Sequence, residues 1–513
     1  MTSAEIPAST GAGDGAAAAD ADQPEDLPEQ LRVRRAKYDR LMQDPATVPF
    51  PVGVARTHSL AEVRAAHPEL APGTHTGGRV GVTGRVIFVR NTGKLCFATL
   101  REGGSELQAM LSLDRVGAES LASWKADLDL GDLVFVQGEV ISSQRGELSV
   151  LAETWQLTAK ALRPLPVAHK PLSEETRVRQ RYVDLIVRPE ARQMVQTRAT
   201  VLRALRESLH ARGYLEVETP VLQSMHGGAA ARPFRTHLNA FDLDMSLRIA
   251  TELYLKRCII GGIDRVYEMG PAFRNEGVDS THSPEYTLLE AYQSYGDYDS
   301  MAELTRGLIL DAANAVGVHT ATSLAGEQIE LDGQWRSVSV HELVSEAVGE
   351  QITPDTGPDE LRRHAARRDV ALRPEWEEGE IVLELYEKLV EHSLLAPTFV
   401  RDYPVSVRPL ARPHRDDPRL TEAWDLIIGG LEIAPAYSEL VDPVEQRRRL
   451  VEQSLAAAKG DPEAMQLDEE FLRALEYGMP PTGGMGMGVD RLVMLLTGKG
   501  IRETILFPLL KPL

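Results

Sequence analysis

Apolar and polar residues alternate along this chain with two periods, and the period changes near residue 165. From 78 to 165 the alternation is two-fold, as in strands with one face buried. Five short segments carry it, at 80–90, 95–100, 106–111, 133–140 and 148–151. Glycines stand at the bends, so the spacing predicts a small Greek-key barrel of the OB type. The stretch 162–166 contains Pro164 and Pro166 and reads as a stiff linker. Beyond residue 176, longer periods appear. The segment 195–212 has helical spacing and ends at Gly213, a good C-cap. Strand patterns follow at 214–220, stopped by Pro220, and at 264–269, 286–292, 397–407 and 423–433. Helices are predicted at 301–316 and 381–394, and a glycine-rich strand at 484–488 runs into a helix at 492–496.

Two segments precede the barrel. Residues 1–28 are rich in Ala, Gly, Pro and Asp and hold no Lys or Arg, which predicts a disordered acidic tail. Residues 29–77 form a basic connection, opened by an amphipathic helix that carries Arg32, Arg34, Arg35, Lys37 and Arg40. That face is either solvated or touches phosphate.

Composition narrows the class. A chain of 513 residues with 43% hydrophobic and 26% charged residues predicts a globular protein of two or three domains. No apolar run reaches the ~18 residues of a membrane span, and no signal peptide is expected at the start. Cys96 and Cys258 are too few and too distant for a disulfide framework, which fits a reducing cytoplasm. The net charge of −20 excludes bulk nonspecific nucleic-acid binding, though not a local surface that docks one RNA.

The chemistry concentrates around Phe273-Arg274-Asn275-Glu276. A polar loop with Gly277, Asp279, Ser280 and Pro284 follows it, then a second strand. An arginine there suits an anionic phosphate or carboxylate oxygen, because its planar fork donates two parallel hydrogen bonds. The glycines 484, 486 and 488 allow a ligand to approach the sheet closely, with Arg491 near a helix N-terminus.

Three separated pieces resemble the signature motifs of class II aminoacyl-tRNA synthetases. They are the long helix with its strand to Pro220, Phe273-Arg274-x-Glu276 with its return strand, and Gly486-Met487-Gly488-Val489-Asp490-Arg491. Four more stretches resemble lysine–tRNA ligases in particular: Ala231-Arg232-Pro233-Phe234, the run from Leu247 to Arg257, Tyr437-Ser438-Glu439-Leu440 and Ile505-Leu506-Phe507-Pro508. The likeness covers roughly 29–513 and is nearest to an actinobacterial branch related to lysyl-lipid synthase fusions.

The resemblance implies an α+β protein. An OB-type barrel at 78–165 would bind the anticodon, and a class II antiparallel sheet flanked by helices at 176–513 would carry catalysis. It implies a homodimer, ATP and L-lysine as substrates, Mg²⁺, and the tRNA for lysine as acceptor. Arg274 would bridge the substrate carboxylate and the α-phosphate. Arg491 would hold the γ-phosphate with His282 nearby, Glu276 would contact adenine, and Tyr286 would stack on it. Asp425 and Glu432, on one expected strand, resemble the magnesium ligands. Gly228 and Glu252 match the α-amino site. Glu290, Tyr292 and Glu439 match the ε-ammonium pocket, with Tyr437 beside them. In the barrel, Phe97 would be a base platform and Arg90, Gln108 and Glu147 would touch base edges. By strand spacing alone, Phe97 belongs to the barrel core.

Some positions depart from the family pattern. Ala434-Pro435-Ala436 stands where Gly-Asn-Gly is usual, Thr251 where Pro is usual, Asp425 where Glu is commoner and Ser283 where Asn is. The missing Asn normally contacts the substrate carboxylate. These changes leave open a lysine analogue as substrate, or weakened lysine binding. The alternative reading is a paralogue that adenylates lysine or an analogue for a non-tRNA acceptor, against which the OB-type barrel argues.

Overall fold

A computed structural model describes residues 28–44, 48–166, 171–225, 227–229, 231–458 and 467–512. The tail expected at 1–28 lies, except for Pro28, outside the described residues. The chain forms two compact units, which meet in sequence between Leu172 and Ser173.

In the first unit, β1 (His75–Thr92), β2 (Leu95–Glu102), β3 (Ser105–Ser112), β4 (Leu133–Ser142) and β5 (Leu148–Ala159) close into a barrel in the order β1-β2-β3-β5-β4. The alternation seen in sequence sets its inside and outside. On β2, Cys96, Ala98 and Leu100 are buried in the core, while Phe97 between them is half-buried on the opposite face. Phe97 is therefore not a core residue, contrary to the spacing argument. Strand parity outweighs hydrophobicity, because shifting it into the core would turn its neighbours outward.

The basic helix α1 (Glu29–Gln43) seats on this barrel. Arg34 is buried and donates to the carbonyls of Leu130 and Ala161, both at 2.8 Å. Lys37 donates to Asp129 at 2.7 Å, and Arg40 pairs with Asp127. Three basic residues of α1 are thus used within the protein, neither idle in solvent nor set aside for phosphate. Their partners lie far away in sequence, so no local pattern announces them.

The second unit is built on one eight-stranded sheet. Its strands are β6 (Leu215–Glu216), β7 (Arg265–Phe273), β8 (Glu285–Ser294), β9 (Arg336–Ser339), β10 (Thr398–Arg401), β11 (Ala423–Ile428), β12 (Leu431–Ser438) and β13 (Thr482–Gly488), ordered β9-β10-β11-β12-β13-β8-β7-β6. The middle is antiparallel, and the pairs β9–β10 and β7–β6 at the edges are parallel. Helices α2 (Pro189–Ala211), α4 (Tyr298–Ala315) and α6 (Val489–Thr497) share one core with the sheet, with α3 (Glu252–Ile260) lying between α2 and α4 in the chain. Val201, Leu205, Leu308 and Leu492 meet Leu289, Met485 and Met487 there. Strand parity again divides the faces: Leu289 and Ala291 enter this core, and Glu290 and Tyr292 point to the cavity described below.

The strand expected at 423–433 is two strands. The chain turns at Gly429 and Gly430, with φ of 65° and 72°, a left-handed conformation that glycine adopts without strain. Other elements shorten. The strand at 214–220 reduces to β6, the one at 397–407 to β10 followed by a 3-10 turn at Val405–Val407, and the helix at 381–394 to α5 (Glu378–Leu389).

Candidate active site

The residues proposed for ATP, amino acid and metal come from β8, β11, β12, α3 and α6 and from the segments that join the strands and helices, and they line one cavity of about 420 Å³. It lies on the sheet face away from α2 and α4. Glycines give part of its floor. A Cβ at Gly484 would meet Glu439 Oε1 at 2.1 Å and Tyr292 Cε1 at 2.4 Å. The close approach expected there is thus made by the protein's own side chains. At Gly486 a Cβ would touch Glu290 and Pro435 only at 3.8 and 3.9 Å.

Arg274 follows β7 and its backbone N–H donates to Pro284 O at 2.9 Å. Its Cζ lies 5.5 Å from the centre of the Tyr286 ring. Arg274 Nε and Tyr286 Oη are buried and have no hydrogen-bond partner among the described residues. Buried donors without partners are costly, so this spot is shaped for an acceptor that the chain does not supply. Glu276 is exposed at the rim and accepts from the Arg232 N–H at 3.3 Å.

Arg491, in the first turn of α6, donates to the Glu432 carbonyl at 2.8 Å and faces His282 Nε2 at 3.1 Å. His282 Nδ1 lies 2.9 Å from Asp279 Oδ2. Burial opposes ionisation of Asp279, but hydrogen bonds from Thr281 and His282 outweigh it and hold the carboxyl at about 2. The anionic Asp279 keeps the proton on Nδ1, so Nε2 accepts from the guanidinium. Arg491 brings the positive charge of this corner, and His282 is its hydrogen-bond partner.

The opposite end is acidic. Glu252 opens α3, and Lys256 one turn later sends its Nζ to Glu252 Oε1 at 2.6 Å and to Glu439 Oε2 at 2.5 Å. Both Lys256 and Glu439 are at most 1% exposed. Glu290 is buried beside them, and its carboxyl is pushed up to about 8, first by burial and then by Glu252. Burial also raises Glu439, against the pull of Lys256. Tyr292 is buried there, and Tyr437 and Gly228 complete the wall.

Asp425 and Glu432 occupy neighbouring strands and both reach the cavity. Arg408, missed by the sequence reading, pairs with Asp425. Burial raises Asp425, with Glu432 adding to it and Arg408 opposing. Crowded carboxylate oxygens of this kind are hard donors that suit Mg²⁺, which keeps water and phosphate as its other ligands. Pro435 stands opposite Asp425, and the β12–β13 ladder covers only Ala436 to Ser438. The proline, lacking an N–H, therefore sits just outside that ladder.

On the barrel, Arg90 stacks over the Phe97 ring at 4.8 Å. Gln108 shares this outer face through the β2–β3 register and donates to Ser149 Oγ at 2.8 Å. Glu147 is exposed beside β5 and pairs with Arg64 at 3.5 Å.

The model of tRNA synthetases class II (D, K and N) matches residues 173–511. The chain belongs to this family. The OB-fold nucleic acid binding domain model matches residues 80–158 of the synthetase, the barrel. The synthetase is 59% identical over 494 residues to a lysine–tRNA ligase of Mycolicibacterium gilvum (strain PYR-GCK), covering 96% of this chain and 98% of the relative. It is 58% identical over 500 residues to the lysine–tRNA ligase of Mycobacterium bovis (strain BCG / Pasteur 1173P2), covering 96% and 99%. It is 51% identical over 491 residues to the lysylphosphatidylglycerol biosynthesis bifunctional protein LysX of Nocardia farcinica (strain IFM 10152), with 94% of this chain but 43% of that protein covered. Among the described residues of the synthetase, no helix is long and apolar enough to cross a membrane.

Lys256 escaped the sequence reading although it offered a signal. An acid and a base four apart on a helix with little polar surface form a pair that must be buried together. Arg408 offered none, because it lies in a turn remote from Asp425.

Proposed function

We propose that this synthetase joins L-lysine to the tRNA for lysine in two steps, and that the charge inventory of the acidic end carries the choice of amino acid. Glu252, Glu290 and Glu439 bring three carboxylates to one buried space, and Lys256 supplies one ammonium. Two negative charges remain for the two ammonium groups of lysine. Glu252 and Gly228 take the α-amino group, and Glu290, Glu439 and Tyr292 the ε-ammonium, with Tyr437 closing the wall. An amino acid with one ammonium would leave a buried carboxylate unpaired, which is costly.

The substrate carboxylate needs no base to become a nucleophile. It attacks the α-phosphorus of ATP, the bond to the β-phosphate oxygen breaks, and lysyl-adenylate and pyrophosphate form. Arg274, with its unpartnered Nε, orients carboxylate and α-phosphate and offsets the charge that builds between them. Tyr286 and Glu276 hold adenine, and Arg491 with His282 holds the γ-phosphate. Asp425 and Glu432 would hold Mg²⁺, which would neutralise phosphate charge. The 3′-terminal ribose hydroxyl of tRNA then attacks the lysyl carbonyl and AMP leaves. A cytoplasmic homodimer belongs to this reading. Leu215 and Leu222, 52% and 46% exposed near the first motif, supply apolar surface for a second copy.

ATP–pyrophosphate exchange across a panel of amino acids tests the proposal. Lysine is expected to support exchange better than ornithine, one methylene shorter, by about 10–200-fold in kcat/KM. The pH dependence has a definite sign. Glu290, raised to about 8, is protonated below that pH and cannot receive an ammonium. The KM for lysine should therefore fall as pH rises to about 8, and rise again once the ammonium groups of the substrate deprotonate, the α-amino group before the ε-amino group. Equal exchange with ornithine, or a KM that rises with pH below about 8, would refute the lysine-shaped pocket.

The barrel separates tRNA charging from bare adenylation. Phe97→Ala removes a half-buried ring outside the core, so the melting temperature should barely move. Exchange should also stay normal. Transfer to tRNA should weaken through KM by the worth of one stacked base, about 1–3 kcal/mol. Unimpaired charging by this variant would favour a non-tRNA acceptor.

A further inference from the structure

Thr251 immediately precedes α3, where a threonine hydroxyl ordinarily accepts a hydrogen bond from the first turn of its own helix. This one makes no such capping bond. Instead its Oγ1 donates to Glu290 Oε2 at 2.7 Å, and its backbone N–H donates to the same oxygen at 3.2 Å. Thr251 is 4% exposed and Glu290 6% exposed, so neither contact competes with bulk water. One carboxylate oxygen thus has two donors, both from a residue with no other evident use for them.

We infer that Thr251 is a positioning residue for amino-acid recognition: its hydroxyl and N–H hold one oxygen of Glu290 and leave the other to meet the substrate ammonium. The inference rests on the lysine reading above and adds a residue to it. Proline, usual at this place in the family pattern, offers neither donor. The groups that face Glu290 are Glu252 on α3, Glu439 after β12, Arg274 after β7, and Tyr286 and Tyr292 on its own strand. Of these, Arg274 alone is cationic, and in the bound state it serves the substrate carboxylate. The two bonds from Thr251 therefore do much of the work of keeping Glu290 ionisable. An oxygen that accepts two hydrogen bonds carries no proton. When the empty site is protonated, the proton sits on Oε1, and an arriving ammonium displaces it to solvent.

Three variants test this through the KM for lysine in pyrophosphate exchange, measured from about pH 6.5 to 9.5. Thr251→Ser keeps both donors and should match the unaltered enzyme. Thr251→Val keeps the N–H and loses the hydroxyl. A lost hydrogen bond to a charged group is worth on the order of tenfold, so its KM should rise about tenfold near pH 7. The two curves should converge near pH 9.5, where Glu290 is ionised in both, with kcat and melting temperature unchanged. Thr251→Pro loses both donors and should shift the curve at least as far. An unchanged KM curve in Thr251→Val, the same offset at every pH, or failure of serine to rescue would overturn the inference while leaving lysine as substrate. No lysine-dependent exchange by the unaltered enzyme would overturn both readings.

Discussion

Arg274→Ala is expected to reduce pyrophosphate exchange by about 10²–10³-fold, the usual loss for one charged donor at a transition state, with the fold intact. The second half of that expectation comes from what Arg274 does not do. Its side chain makes no hydrogen bond to the described residues, and its contact is the face of Tyr286. Arg248 gives the contrast. It is 2% exposed, donates to Pro271 O at 2.8 Å and Thr219 O at 3.2 Å, and pairs with Glu268. Removing Arg248 would leave buried acceptors and a buried charge unpaired, which costs stability outright. The two arginines stand near each other in sequence, yet one ties the fold and the other waits for a ligand. Exchange kinetics beside a thermal melt separates them. Near-normal exchange by Arg274→Ala would refute its assigned role.

The barrel was legible because its five strands alternate cleanly and glycines mark the bends. The residues proposed for ATP, amino acid and metal, read from separate motifs, all reach one cavity. What the pattern hid has three physical causes. Interactions across long separations leave no periodic trace, so the seating of α1 by Arg34 and the pairing of Arg408 with Asp425 were invisible. Short turns inside apolar runs are also hard to see. Gly429 and Gly430 split the expected strand at 423–433, and that split places Asp425 and Glu432 on adjacent strands. The third is the conflict at Phe97, whose ring is apolar but whose parity on β2 turns it away from the core.

Lys256→Met is expected to destabilise the second unit by about 3–5 kcal/mol, the cost of breaking a buried ion pair by removing one partner. Methionine nearly preserves volume, so the loss is electrostatic rather than a cavity. Without the Lys256 ammonium, Glu252 and Glu439 lose the cation that pairs them and face each other and Glu290, with Arg274 beside Glu290 as the cation that remains. Their carboxyls must then bind protons for the fold to persist. A group protonated in the folded state and ionised in the unfolded one weakens the fold as pH rises. The melting-temperature deficit of the variant should therefore be smaller near pH 6 and larger near pH 9. Lysine, which brings two ammonium groups, should raise the melting temperature of the variant more than that of the unaltered enzyme. The competing reading makes Lys256 a replaceable filler, and methionine would then be neutral at every pH. A pH-independent melt equal to that of the unaltered enzyme, with no added protection by lysine, would remove Lys256 from the charge inventory. The match between two residual charges and two substrate ammonium groups would then have to be abandoned.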